Sequence, residues 1–120
     1  LKDIIYYFSE RVFELRALGV NDIIIDPGYG FSKTMDQNYE LLGKSELLRH
    51  LELPILTGIS RKSMLYKLIG TGPEGALAAT VAAHTIALLK GTSILRAHDV
   101  KEAVHAIEIV QKTKLEAIDD

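Results

Sequence analysis

Three short apolar runs in this sequence each end in a segment rich in charged or glycine residues. Residues 23–25 precede 26–31 (DPGYGF), residues 54–57 precede 58–63 (GISRKS), and residues 93–95 precede 96–99 (RAHD). Short, evenly apolar runs of this kind are typical of buried parallel strands. Enzymes with parallel α/β sheets carry their chemistry at the carboxyl ends of the strands, so these segments are the candidate functional residues.

The first segment offers a carboxylate for ligand binding. Asp26 is followed by Pro27, which has no backbone N–H, and by Gly28 and Gly30, which let a ligand approach the chain. A carboxylate here can accept two parallel hydrogen bonds from a planar amidine-like edge, such as that of an aminopyrimidinone. The alternative is that Asp26 caps a turn or a helix N-terminus, and on spacing alone both roles stay open.

The second and third segments offer cations. Residues 60–63 (SRKS) combine two hydroxyls and two cations at the predicted start of a helix, and Arg96 and His98 follow the third run. Barrels of parallel strands often bind phosphate with the loops after their last two strands. The alternative is a set of solvated surface charges, but two cationic clusters at consecutive strand ends favour an anion site.

Other segments carry weaker signals. The glycines of residues 70–75 lack the spacing of a phosphate loop and predict a helix break. His84 is predicted to be packed in an apolar helix, and His50 and His105 to lie on the surface. The sequence contains neither a zinc-protease motif nor a serine elbow, which disfavours those hydrolases.

The elements that position these residues alternate along the chain. Apolar periodicity predicts helices, with the strands between them, at residues 1–18, 38–50, 60–69, 76–90 and 100–112. In the first helix the predicted apolar stripe consists of Ile4, Ile5, Phe8, Val12, Leu15 and Leu18. A helix between each pair of strands indicates βαβ units and a parallel sheet.

Composition limits the class of protein. The 120 residues make at most one domain, 48% of them are hydrophobic, and the net charge is −2, so we expect neither a nucleic-acid nor a membrane partner. The absence of cysteine excludes disulfides and thiolate metal sites, and it fits a cytoplasmic location.

Three parallel strands cannot close a barrel, and they leave two unpaired edges. The chain begins with Leu1 inside a predicted helix, so we expect it to be the C-terminal part of something longer. On its own it is expected to pair with a partner or with a copy of itself, as a homodimer or larger assembly.

Taken together, the three segments resemble the dihydropteroate synthase family of folate biosynthesis, the target of sulfonamides. The likeness extends from Gly19 through the last helix, with residues 26–33, 58–63 and 96–99 in the family's order. It implies an α/β fold that is part of a TIM (β/α)8 barrel with parallel strands. Residues 1–120 would be the C-terminal portion of this pterin-binding domain, namely helix 5 and then βα units 6 to 8.

The resemblance also implies a role for each site residue. The pterin would be bound by Asp26, Gly58, Lys62 and Arg96. The p-aminobenzoate would be bound by Phe31, Ser60, Arg61 and Ser63. The leaving diphosphate would be held by Arg96 and His98, and the catalytic residues would be Lys62, Arg96 and His98.

The implied reaction condenses 6-hydroxymethyl-7,8-dihydropterin diphosphate with p-aminobenzoate to give 7,8-dihydropteroate and diphosphate. The resemblance implies Mg²⁺ as cofactor, with its protein ligand in the N-terminal half of the barrel and none in this chain. Because that half precedes Leu1, we expect the isolated chain to be inactive.

Two alternatives remain. One is a pterin-binding methyltransferase related by fold, which the cations of residues 60–63 and 96–99 disfavour. The other is a catalytically silent fragment or interaction module that folds by self-association.

Overall fold

The computed structural model describes residues 2–119, with side chains up to residue 114. Five α-helices and one two-stranded sheet make up its regular structure. The helices are α1 (Lys2–Ala17), α2 (Met35–Gly43), α3 (Ser63–Ile69), α4 (Leu77–Leu89) and α5 (Val100–Asp119). The strands are β1 (Leu56–Thr57) and β2 (Ile94–Leu95), and short 3₁₀ helices span Ser45–Leu51 and Pro73–Gly75.

All three predicted strand segments pair in parallel, which confirms the predicted parallel orientation of the strands. β1 pairs with β2 in the register Leu56–Ile94 and Thr57–Leu95. On the other side of β1, Ile25 forms a parallel bridge with Ile55. Regular strand structure is shorter than predicted, and the first segment is reduced to this single bridge. The fold is therefore mixed α/β with a small parallel sheet.

The helices begin and end at residues that differ from the predicted ones, and local features at α2 and α3 explain the differences there. α2 begins earlier than predicted because Thr34 and Gln37 form a reciprocal capping box at its N-terminus. It ends at Gly43, and the rest of the predicted 38–50 helix is the separate 3₁₀ helix. α3 begins at Ser63 rather than at residue 60, because Arg61 has a left-handed backbone with φ 54°. α5 continues beyond residue 112.

The main core lies between the sheet and helices α2, α3 and α4. Its most completely buried side chains include Leu48, Ile59 and Met64. Helix α1 packs on this core along one edge through Ile4, Ile5, Phe8 and Val12. A smaller cluster between α4 and α5 consists of Leu88, Ala106 and Val110.

Helix α1 is only partly covered. None of its described residues is fully buried, and Tyr6, Phe13 and Leu18, just after its end, are largely exposed. The prediction that Leu15 and Leu18 join the apolar stripe was wrong, since both are exposed, while the predicted residue Leu1 lies outside the described residues. A helix that packs along one edge leaves apolar surface for another element to cover.

Candidate functional site

The parallel pairing brings the ends of the three predicted strands to one edge of the sheet. Asp26 follows the bridge at Ile25, Gly58 follows β1, and Arg96 follows β2. The Arg96 guanidinium crosses the backbone of Gly58, where a Cβ would collide with it. Its Nη1 lies 3.4 Å from Oδ2 of Asp26. The structure thus places a carboxylate, a glycine and a guanidinium side by side, each at the end of a predicted strand segment.

The Asp26 loop is held in shape by its own polar contacts. Oδ1 of Asp26 accepts a hydrogen bond from the backbone N–H of Gly28 at 3.0 Å, so the carboxylate does cap a turn. Lys33 Nζ donates to the carbonyls of Pro27 and Gly28 at 3.2 and 2.9 Å. Gly28 and Gly30 both have positive φ, which few other residues adopt without strain. The turn therefore uses only Oδ1 of the Asp26 carboxylate, and Oδ2 faces Arg96.

Lys62 extends from the β1–α3 loop towards the Asp26 loop. Its Nζ donates a hydrogen bond to the carbonyl of Tyr29 and lies 5.0 Å from the centroid of the Phe31 ring. Burial and then the neighbouring Arg96 lower the pKa of the Lys62 ammonium, while Asp26 acts in the opposite direction. The carbonyl and the ring together fix a cation between the two loops.

An open cleft lies beside Lys62. It has a volume of about 420 Å³ and its lining includes Phe31, Arg61, Lys62, Ser63 and Tyr66. Phe31 is 68% exposed, so its ring is available to a ligand. A second, smaller cleft of about 200 Å³ lies between Lys62 and the β2–α5 loop, and its lining includes Gly58, Arg96 and His98.

Two of the predicted p-aminobenzoate residues have partners within the chain. Oγ of Ser60 lies 2.8 Å from Nδ1 of His98 and accepts a hydrogen bond from the His98 backbone N–H at 3.2 Å. The Arg61 guanidinium forms a bidentate pair with Asp99 at 2.9 and 3.0 Å, and it donates to the carbonyl of Pro73 at 2.7 Å. These contacts join the β1–α3 loop to the β2–α5 loop.

Asp99 and Thr80 are two members of this site that sequence reasoning did not assign. The hydrogen bonds from Arg61 lower the pKa of the Asp99 carboxyl. Thr80 is buried on α4, and its Oγ1 accepts a hydrogen bond from the backbone N–H of Arg61 at 3.0 Å. Asp99 stood within the quoted segment at residues 96–99, but nothing in the sequence around Thr80 marks it.

The predictions for the weaker candidates are confirmed. His84 is buried on α4, whereas His50 and His105 are exposed. α3 ends at Ile69 and is capped by Gly70, which has positive φ, so the 70–75 segment does break the helix. Within residues 2–114, whose side chains the structure describes, no group of three or more histidine and acidic side chains is arranged to hold a metal ion.

His84 predicts a pH dependence of folding stability. It is 1% exposed, its buried Nε2 has no hydrogen-bond partner among the described residues, and burial lowers its pKa despite the opposing charge of Asp99. Below about pH 6.5 the unfolded chain therefore binds more protons at this residue than the folded chain does. The free energy of unfolding should fall as the pH decreases through this range.

Denaturant titrations at about pH 7.5 and about pH 5.5 measure this effect. The His84→Gln variant should lose less stability between the two pH values than the unmodified chain. The exposed His105→Gln serves as the matched control and should retain the full loss. An equal loss in the unmodified chain and in His84→Gln would contradict the prediction.

A small parallel sheet with a carboxylate and cations at the carboxyl ends of its strands is the arrangement of an α/β enzyme that binds its ligand at that edge. The chain belongs to the family of pterin binding enzymes, which it matches over residues 1–98.

Known relatives agree with this assignment. The chain is 39% identical over 109 residues to the dihydropteroate synthase of Escherichia coli (strain K12), covering 89% of this chain and 39% of that protein. It is 37% identical over 112 residues to the dihydropteroate synthase of Clostridium beijerinckii, covering 91% of this chain and 42% of that protein. The chain therefore spans about two-fifths of the length of these relatives.

Solved structures show the same likeness. The Yersinia pestis dihydropteroate synthase in a sulfonamide complex superposes with a TM-score of 0.92 at 39% identity, over 96% of this chain and 43% of that one. The Xanthomonas albilineans dihydropteroate synthase with 4-aminobenzoic acid gives a TM-score of 0.89 at 35% identity, over 94% of this chain and 42% of that one.

Proposed function

We propose that this chain is the C-terminal portion of a dihydropteroate synthase and carries part of the site for pterin and p-aminobenzoate. The observation that carries this proposal is the meeting of Asp26, Gly58, Lys62 and Arg96 at one edge of the parallel sheet. A carboxylate beside a planar cation suits a flat heterocycle with a polar edge.

In the proposed complex the pterin lies at the ends of the strands. Asp26 accepts hydrogen bonds from the aminopyrimidinone edge, and Gly58 leaves room for the ring. Because Arg96 already crosses Gly58 and faces Asp26, only a small movement of its half-exposed side chain is needed for it to stack on the ring. Its pairing with Asp26 is exposed and long, so little free energy opposes that movement.

The p-aminobenzoate occupies the cleft beside Phe31 and Ser63, with its carboxylate near the Ser63 hydroxyl. Lys62 bridges this cleft and the pterin site. Ser60 and Arg61 were expected to bind the p-aminobenzoate. Their contacts with His98 and Asp99 favour a supporting role instead, in which they hold the loop that carries Lys62.

The proposed reaction is a substitution at the pterin methylene carbon. The aniline nitrogen of p-aminobenzoate forms a bond to this carbon as the carbon–oxygen bond to diphosphate breaks. The bonding electron pair leaves with the diphosphate, and the new ammonium loses its proton to solvent. Arg96 and His98 receive the departing anion, so catalysis rests on positioning and on stabilisation of the leaving group.

The remainder of the proposed enzyme lies outside this chain. Residues 1–120 form one domain portion, which supplies helix 5 and βα units 6 to 8 of a TIM barrel. The Mg²⁺ ligand belongs to the N-terminal half, where the ion would help to neutralise the diphosphate. Carboxylates are the ligands that Mg²⁺ prefers. Among the side chains that the structure describes, no group of three or more histidine and acidic residues is arranged to hold a metal ion.

We also propose self-association, as a homodimer or larger assembly, and a cytoplasmic location. The exposed apolar side chains of α1 and Ile24, which is 55% exposed at the sheet edge, support the first. The absence of cysteine supports the second. Among the described residues, no helix is long and apolar enough to cross a membrane.

The proposal is tested by restoring the rest of the barrel. The N-terminal portion of the Escherichia coli relative is fused to this chain, and we call this fusion the joined barrel. Purified joined barrel should convert the dihydropterin diphosphate and p-aminobenzoate to dihydropteroate, whereas the 120-residue chain alone should not. A joined barrel that folds and binds pterin but gives no product would contradict the proposal.

A further inference from the structure

Polar side chains continue the register of the sheet beyond the ends of β1 and β2. In the sheet, Leu56 pairs with Ile94 and Thr57 with Leu95. Ser60 contacts His98 and Arg61 contacts Asp99 with the same offset of 38 residues. The two loops are therefore held side by side in the alignment of the strands that precede them, although no backbone ladder joins them there.

The Ser60 hydroxyl has two contacts with His98, and together they fix its orientation. Its oxygen accepts the backbone N–H of His98, which leaves the hydroxyl proton free to be donated to Nδ1 of the ring at 2.8 Å. Nδ1 is the acceptor that the structure gives this hydroxyl proton, and a ring protonated at Nδ1 would leave the proton without an acceptor. The pairing therefore favours the neutral ring with its proton at Nε2. Ser60 is 5% exposed, so water has little access to compete for these contacts.

We propose that Ser60 is a positioning residue that sets the tautomer of His98. It keeps the Nε2–H as the ring's donor at the smaller cleft, whose lining also includes Gly58, Lys62 and Arg96. A preset N–H donor beside two cations is suited to a polyanion such as diphosphate. The identity of this anion rests on the proposed function, but the tautomer of the His98 ring in the ligand-free chain does not.

The Arg61–Asp99 pair supports the same geometry one residue further on. Both side chains are mostly buried, at 23% and 22% exposed, and the pair is bidentate. Arg61 is also held by Thr80 through its backbone and has the positive φ noted above. Because this pair holds the two loops together, the Ser60 hydroxyl is already positioned against Nδ1 of His98 before a ligand binds.

A hydroxyl also suits the charged form of the ring. If His98 becomes protonated when an anion binds, Nδ1–H can donate to the Ser60 oxygen, which has two lone pairs. The Ser60 side chain then accepts from both the backbone N–H and the ring. A methyl group at this position can do neither, so Ser60→Ala removes the partner of both protonation states.

Nitrogen NMR of the ¹⁵N-labelled chain tests the proposal directly. At about pH 8.5, where an ordinary histidine is neutral, the His98 ring should show a protonated Nε2 and an unprotonated Nδ1. In Ser60→Ala the two nitrogen shifts should move towards each other as the tautomers mix, and Ser60→Thr, which keeps the hydroxyl, should restore the single tautomer. His98→Gln assigns the signals, and the exposed His50 and His105 are internal controls.

An unmodified chain with Nδ1 protonated, or with mixed tautomers, would overturn the proposal even if the variants failed to fold. So would an unchanged His98 spectrum in a folded Ser60→Ala. Calorimetry with inorganic diphosphate separates this result from the proposed function. Ser60→Ala should weaken binding roughly three- to tenfold, as expected for one lost hydrogen bond. If His98 has the predicted tautomer but the chain binds no diphosphate, the anion site is wrong and the role of Ser60 stands.

Discussion

Replacing Lys62 by alanine should lower kcat of the joined barrel at least about 100-fold, on the order of 3 kcal/mol in the transition state. The Lys62 ammonium lies between the Asp26 loop and the β1–α3 loop, held by the Tyr29 carbonyl and the Phe31 ring. In the proposed complex this cation faces both substrates, because Lys62 lines both clefts. Its loss removes charge where negative charge develops on the leaving group.

The variant should remain folded, because Lys62 lies at the edge of the site rather than in the core. Lys67→Ala is the matched control, since Lys67 lies on α3, is exposed, and faces neither cleft. Steady-state kinetics and circular dichroism of both variants measure the effect. Unchanged kcat in a folded Lys62→Ala would show that the assigned role is wrong.

The positions of the candidate residues were predictable from local sequence. Short apolar runs such as residues 54–57 are too uniform for a half-exposed strand, and each is followed by glycine or charge. These two signals place Asp26, Gly58 and Arg96 at strand ends, and the structure confirms that placement. The parallel direction followed from the helices between the strands.

The partners of these residues were not predictable in the same way. Ser60 and Arg61 were expected to face a ligand, but their contacts with His98 and Asp99 depend on the register between β1 and β2. Register is a property of long-range pairing that neither local segment encodes alone. The start of α2 is different, because the Thr34–Gln37 capping box that fixes it is a local pattern of the sequence itself.

Asp26→Asn should abolish measurable pterin binding, and the reason lies in the two oxygens of Asp26. One accepts the Gly28 N–H, which an asparagine oxygen can also do, so the turn is preserved. The other oxygen faces Arg96 and the open edge of the sheet. Asparagine places an NH₂ there, so a donor meets both the guanidinium of Arg96 and the amino edge of the pterin. The substitution therefore removes recognition with little change in local structure.

Calorimetric titration of this chain with a soluble pterin tests most directly whether these residues form a pterin site. Asp22→Asn is the matched control, because Asp22 is exposed and lies at the other end of the same strand segment. We predict that the unmodified chain and Asp22→Asn bind pterin and that Asp26→Asn does not. Equal binding by Asp26→Asn, or no binding by the folded unmodified chain, would contradict the claim that this chain holds a preformed pterin pocket.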